Sequence, residues 1–328
     1  MISGDLSKPP PSAARPPHRG KKPKYTAAVL LAFFVHLLAG GCPRIIGHVA
    51  GSSDPRTDED LLAAARQGDP GALEALILRY QARVYRFSVK MCRDSQDAGD
   101  VVQESLLAMA RSVREFRGDS SVSTWLYTIA RSFCIKRRRR SKFAPAREES
   151  LEALGGERLP DLSDPAPDPE QQAAGREIEA ALSAAIDSLD VAQREVLVLR
   201  DIEGLSAPEV AKVLGLSVQA VKSRLHRARL AARQHVAPVL GIPAAAAPPG
   251  ARCPDVLMLL SRRLEGEIAP DVCAQMELHL EGCRHCRDAC ESLKRTLALC
   301  RATPAPDVPG SLRESVRHAI RAFLQQTA

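Results

Sequence analysis

The sequence predicts an all-α protein, and three observations carry that. Apolar residues return at three- and four-residue spacing through most of the chain, while the alternation of a strand is almost absent. Hydrophobic residues make up 45% of the composition but aromatics only 4%, so the cores are built from Leu, Val, Ala and Ile. Helix start and stop signals recur, with Ser or Thr ahead of an acidic residue and glycine after a periodic run. At 328 residues the chain has room for two or three domains. The expected architecture is two helical units joined by a flexible linker, followed by a small cysteine-rich helical unit.

Residues 1–56 read as an extension outside any folded unit. Proline and basic residues crowd positions 8–24, and the apolar run Ala27 to Leu38 leads to Ala-Gly-Gly-Cys42. This has the outline of a signal peptide with a lipoprotein-like cysteine, though the run is too short for a confident membrane span. A disordered extension or a misassigned start is the expectation. A membrane tether that leaves the rest cytoplasmic is the alternative.

Residues 57–140 form the first expected unit. Asp58, Asp60, Leu61, Leu62 and Ala65 open a helix ending near Gly68. A second helix carries Leu73, Leu76, Ile77, Tyr80, Val84, Tyr85 and Val89, and a third carries Val101, Val102, Leu106, Met109 and Val113. A fourth, from about Ser123 to Arg140, holds Trp125, Leu126, Ile129, Ala130 and Phe133 and ends in Lys136, Arg137, Arg138, Arg139 and Arg140. Cations suit a helix C-terminus. Beside Trp125 and Tyr127 they also form a kit for single-stranded nucleic acid: charge for phosphates, rings for unstacked bases.

Residues 141–175 are a linker rich in Pro, Asp, Glu and Ala. Residues 176–236 form the second unit. Ile178, Leu182, Ile186 and Leu189 line one helix, and Val196, Leu197 and Leu199 another. Ser206-Ala-Pro-Glu209 is a capping box with proline in the first turn, Gly215 supplies a turn, and Ser217 caps the next helix. There Val218, Val221, Leu225 and Ala228 are expected inward. Gln219, Ser223, His226 and Arg227 fall outward, with Lys222 and Arg224 on the flanks. A capped helix with a polar, basic outer face is what a helix-turn-helix lays in the major groove. The net charge of +7 suits such a polyanionic partner.

After an Ala-Pro linker over 237–252 comes the cysteine-rich unit, 253–302. Six of the nine cysteines lie between Cys253 and Cys300. His279-x3-Cys283-x2-Cys286 places an imidazole and two thiolates at one helix end and its turn. With Cys253 they make a Cys3His set suited to a closed, structural tetrahedral zinc site. Such usage indicates a metal site in a reducing compartment rather than a disulfide framework. Cys273, Cys290 and Cys300 are extra thiols, open to a second or softer metal, to redox chemistry, or to plain packing. Residues 303–328 hold a last amphipathic helix, Ser311 to Leu324, able to pack on either neighbour.

Three ordered motifs carry a family resemblance. Asp97-Ala-Gly-Asp100-Val-Val-Gln103-Glu104 resembles the polymerase-clamp signature of sigma-70 factors. Phe116 to Arg131 resembles the segment that opens and reads the −10 promoter element, and Val221 to Arg229 the reader of the −35 element. With only these two domains, the layout is similar to the extracytoplasmic-function group. Cys253, Leu264-Glu-Gly266-Glu267 and the His/Cys cluster resemble the zinc-binding anti-sigma domain, here fused to the chain. Two positions depart from the pattern: Gly99 stands where the signature has an acidic residue, and Ser132 where asparagine is usual.

The resemblance implies a transcription initiation factor, not an enzyme and with no small-molecule substrate. Its partners would be core RNA polymerase, promoter DNA and its own C-terminal domain in cis. Asp100, Gln103 and Glu104 would dock the clamp. Trp125, Tyr127, Arg131 and the basic run from Lys136 to Arg140 would hold the −10 region. Gln219, Lys222, Ser223, Arg224 and Arg227 would contact the −35 duplex. Metal or redox state would set the activity. A metal- or redox-responsive DNA-binding regulator working without polymerase is the alternative.

Overall fold

The computed structural model describes residues 54–92, 95–143, 169–241 and 253–327. The expected N-terminal extension lies outside the described residues, apart from its last three. So do most of the two linkers. Among the described residues there is no strand, and none of the described helices is long and apolar enough to cross a membrane.

Four helices come first: α1 (Asp58–Arg66), α2 (Pro70–Met91), α3 (Ser95–Ser112) and α4 (Val122–Phe143). Thr57 caps α1 in a capping box with Asp60, and Asp69 caps α2 ahead of a proline in its first turn. Leu61, Leu76, Val84, Phe87, Val101, Val102, Leu106, Met109 and Leu126 are fully or almost fully buried between them. These are the apolar positions that the 3.6-residue period selects.

The second group is α5 (Pro169–Ser188), α6 (Val191–Leu197), α7 (Ala207–Leu214) and α8 (Val218–Val239). Its first helix begins seven residues earlier than the sequence reading set it. A π-helical turn, Val198–Ile202, continues α6. That widened turn carries Asp201 into the interior, where it is 2% exposed. The α7–α8 junction follows its caps. Ser206 and Glu209 form the capping box, Gly215 takes the left-handed conformation (φ 66°), and Ser217 Oγ accepts the Ala220 amide at 3.1 Å. The two groups share one apolar core, into which Cys300, Val316 and Ile320 from the C-terminal part also pack.

The last part holds α9 (Val256–Leu264), α10 (Pro270–Gly282), α11 (Arg284–Ala302) and α12 (Gly310–Thr327). Val256, Leu260, Cys286, Cys290, Leu293 and Leu297 make a small separate core. Helix α11 packs along α8 and the π turn, while α12 lies on α3.

Candidate nucleic-acid interface and metal centre

Four side chains converge on the expected metal site. The ligand atoms of Cys253, His279, Cys283 and Cys286 all lie within 4.8 Å of one another. Cys253 Sγ is 3.9 Å from Cys283 Sγ, and His279 Nε2 is 3.2 Å from Cys286 Sγ. Tetrahedral zinc with Zn–S bonds of 2.3 Å needs sulfurs about 3.8 Å apart. The donor set therefore fits zinc with every position filled by protein. His279 lies in the last turn of α10, Cys283 caps that helix, Cys286 sits in the first turn of α11, and Cys253 arrives from the segment before α9. The backbone amide of Cys286 donates to Cys283 and holds its thiol below the ordinary range, as a metal-binding thiolate requires.

The extra thiols do not join this cluster. Cys273 lies near Glu277, Cys290 belongs to the small core, and Cys300 is buried in the main core, where desolvation pushes its pKa to about 12. Among the described residues no second cluster of potential ligands forms. Cys290 and Cys300 pack as small apolar residues, and Cys273 is half-buried; a second metal at these thiols finds no support.

Along α4 the expected DNA-contacting residues meet carboxylates of the second helical group. Trp125 is half-buried and stacks on Phe116, with ring centroids 4.4 Å apart. Tyr127 is 1% exposed, and its hydroxyl donates to Glu203. Burial, with the Glu203 carboxylate adding to it, pushes its pKa well above the ordinary tyrosine value. Arg86 grips the same carboxylate through two bonds of 2.7 and 2.8 Å. Arg131 pairs with Glu195 at 3.0 Å, and Arg138 lies 3.9 Å from it. Ser121 and Thr124 contact Glu209 Oε1, and Lys212 donates to the Asp119 carbonyl at 2.9 Å. Glu195 thus pairs with two cations of α4, Glu203 with its tyrosine, and Glu209 with Ser121 and Thr124 at its start. Lys136 and Arg139 are exposed; Arg140 is helical.

Helix α3 presents Asp100, Gln103 and Glu104, all half-buried. Arg137 of α4 bridges Asp100 at 2.9 Å and Glu104 at 3.1 Å. Ser315 of α12 donates to Gln103 at 3.1 Å. A Cβ at Gly99 would stand 3.9 Å from both methyls of Leu312, so the departure from the signature lies directly under α12.

On α8, Gln219, Ser223 and Arg227 are exposed and Arg224 is half-buried. Lys222 forms an ion pair with Glu267 at 2.7 Å. Deeper on the helix, Arg229 is 1% exposed and holds both Asp201, at 2.7 Å, and Glu265, at 2.8 Å. Glu265 also takes Arg200 at 3.1 Å, and Arg233 donates to Ser292. Between the two glutamates Gly266 has φ 68°, a left-handed turn that a residue with a Cβ resists. That turn lets Glu265 reach into the interior and Glu267 reach the exposed flank. Two positions differ from the sequence reading. Val218, expected inward, is 36% exposed at the helix start, and His226, expected outward, is 8% exposed.

Glu195, Glu203 and Glu209 escaped the sequence reading as site residues. The available signal was Asp201-Ile-Glu203-Gly204, an acidic pair closing an otherwise apolar run.

Comparison with known proteins agrees with this anatomy. Residues 76–143 match the family model for sigma-70 region 2, and residues 179–231 that for sigma-70 region 4. The RNA polymerase sigma-H factor of Pseudomonas aeruginosa is 35% identical over 188 residues, which cover 56% of this chain and 95% of that protein. The chain belongs to the extracytoplasmic-function sigma factors of the sigma-70 family. The sigma factor SigM of Mycobacterium tuberculosis is 33% identical over 192 residues, covering 58% of this chain and 88% of its own. A solved structure of CnrH in complex with the cytosolic domain of CnrY covers 53% of this chain and 94% of its own, at 28% identity and a TM-score of 0.39. Residues 253–287 match a model described as "Putative zinc-finger". As a sigma factor the protein directs RNA polymerase to promoters, and it is not an enzyme. Helices α2–α4 are its region 2, and α5–α8 its region 4.

Proposed function

We propose that this sigma factor is held silent in cis by its own C-terminal part, and that loss or exchange of the metal at Cys253, His279, Cys283 and Cys286 releases it. The observation that carries this reading is the grip of the Glu265-Gly266-Glu267 turn on α8. Glu267 neutralises Lys222, one of the expected −35 contacts, and Glu265 joins Arg229 and Arg200 below it. One further contact of the C-terminal part supports it, and two others close region 2 on region 4 without it. Tyr127 and Arg131 are engaged by glutamates of region 4, and Gln103 is engaged by α12.

In the released form Asp100, Gln103 and Glu104 dock the polymerase clamp. Trp125, Tyr127, Arg131 and the cations from Lys136 to Arg140 take the −10 strand. Gln219, Lys222, Ser223, Arg224 and Arg227 take the −35 duplex. A domain tethered in the same chain acts at an effective concentration of about millimolar, so individually weak ion pairs suffice to keep it docked. The zinc would hold α10, the turn and the start of α11 in register with Cys253, and through them the Glu265–Glu267 turn. The site of action is the cytoplasm.

The test is run-off transcription with core polymerase, comparing the full chain with a truncation after Val236 across metals, chelators and reductants. The truncation is expected to be active throughout, and the full chain only after metal loss. Equal behaviour of the two under every condition refutes the gate.

A further inference from the structure

Region 2 contains a second pair of sulfurs, unrelated to the zinc ligands. Cys92 ends α2 and Cys134 lies in the middle of α4, 42 residues later. Their Sγ atoms are 3.6 Å apart, in direct contact, and both are free thiols. Cys134 is 1% exposed and Cys92 7%, so Cys92 is the one nearer solvent. We propose that Cys92 and Cys134 form an oxidisable dithiol that a hydroperoxide closes to a disulfide, stapling the end of α2 to the promoter-reading helix.

The surroundings favour this order of events. The Cys134 thiol donates a hydrogen bond that holds the Cys92 pKa down, while Cys134 is correspondingly pushed up. Cys92 also feels Arg137 and Arg138, which favour its thiolate, and Asp97, which opposes it; Glu195 acts against ionisation of Cys134. The Cys92 thiolate attacks one peroxide oxygen and the O–O bond breaks. Cys92 becomes a sulfenic acid, and the other oxygen departs and takes a proton as the alcohol, or as water from hydrogen peroxide. The Cys134 sulfur then attacks the Cys92 sulfur. The S–S bond forms, the S–OH bond breaks, and the hydroxide leaves as water with the Cys134 proton. Two electrons pass from the thiols to the peroxide, and a dithiol reductant reverses the step.

The position gives the bridge a consequence. Arg137, three residues beyond Cys134, holds Asp97, Asp100 and Glu104 of α3. A Cys92–Cys134 bond would fix the middle of α4 to the end of α2, beside the Arg137 contacts to α3, and so restrict movement of α4 within region 2.

The test uses the full zinc-loaded chain. It is titrated with hydrogen peroxide, quenched in acid, alkylated in denaturant and mapped without reduction, while a chelating dye follows zinc release. A peptide linking Cys92 to Cys134 should form before zinc is lost, with two fewer alkylated thiols, and dithiothreitol should restore both. In Cys134→Ser the link should vanish, and the sulfenic acid on Cys92 should become trappable by dimedone. A map of the wild-type protein in which both thiols stay alkylatable while zinc ligands oxidise overturns the proposal, whether or not the variant folds. So does a link from Cys92 to any other cysteine.

Discussion

Glu265→Ala tests the gate at its most buried contact. The Glu265 side chain is 5% exposed and accepts from Arg229 at 2.8 Å and from Arg200 at 3.1 Å. Breaking a buried ion pair by removing one partner costs about 3–5 kcal/mol when the other charge is left alone. Here Arg229 keeps Asp201, which it holds through two bonds of 2.7 and 2.8 Å, so the orphaned-charge part of that cost falls away. What is lost is two hydrogen bonds between charged groups, one of them at half-exposed Arg200. A net loss of about 2–3 kcal/mol of docking energy follows. At about 1.4 kcal/mol per factor of ten, the undocked population rises roughly 30- to 140-fold. Region 4 itself stays folded, because its own Arg229–Asp201 pair is untouched. The assay is run-off transcription by the metal-loaded full chain with core polymerase, beside the truncation after Val236. Glu265→Ala should move most of the way to the truncation. A variant as silent as the wild type, beside an active truncation, would refute the assignment of the holding energy to this turn.

Other outcomes follow from the same geometry. Gly99→Ala should be silent, since its Cβ would make ordinary contact with Leu312, whereas Gly99→Glu must push Leu312 aside at a cost of about 1–3 kcal/mol. It should therefore raise core-polymerase binding by the full chain but not by a chain lacking α12; equal effects on both would contradict the role of α12. Val316→Asp, at a position 3% exposed on the inner face of α12, should release that helix and increase protease cutting near Pro304–Pro309 without changing zinc content. Cys286→Ser should abolish stoichiometric zinc binding, measured by metal analysis, and make DNA binding insensitive to chelators. His226 is held below its ordinary pKa by burial, so its neutral form belongs to the folded state. Its contribution to stability is complete above the unfolded pKa of about 6.5 and is lost as pH falls below it. His226→Gln should flatten the melting temperature between pH 7 and 5, and an unchanged slope would exclude His226 as its source.

Local features were legible in the sequence because their causes are local. The capping box at Ser206 and Glu209, the Gly215 turn and the Ser217 cap depend only on neighbours a turn away, and they form as read. The four residues of the Cys/His cluster were legible for a similar reason, since three of them lie within eight positions of chain. The engagement of Tyr127 was not legible. Nothing within a turn of it reveals that Glu203, 76 residues later, meets its hydroxyl. His226 and Val218 were misplaced because a helical wheel knows only its own helix. The wheel puts polar His226 outside, but packing from neighbouring elements leaves it 8% exposed; Val218, in the first turn of α8, stays 36% exposed. The fused core shared by regions 2 and 4 was hidden by the same limitation, because charge and periodicity do not report which faces meet.

Glu209 divides its two oxygens. Oε2 closes the capping box with Ser206, and Oε1 receives Ser121 and Thr124 from region 2. Region 2 can therefore let go of region 4 without uncapping α7. The joint behaves like a clutch: its faces separate while the shaft stays whole. In the proposed release, opening this joint breaks only side-chain contacts to Glu209 and leaves the cap of α7 in place. Proteins that regulate by refolding a segment must cross a slower barrier. In the proposed switch, Ser121 and Thr124 would exchange Glu209 Oε1 for water while the Ser206 cap on Oε2 stays closed.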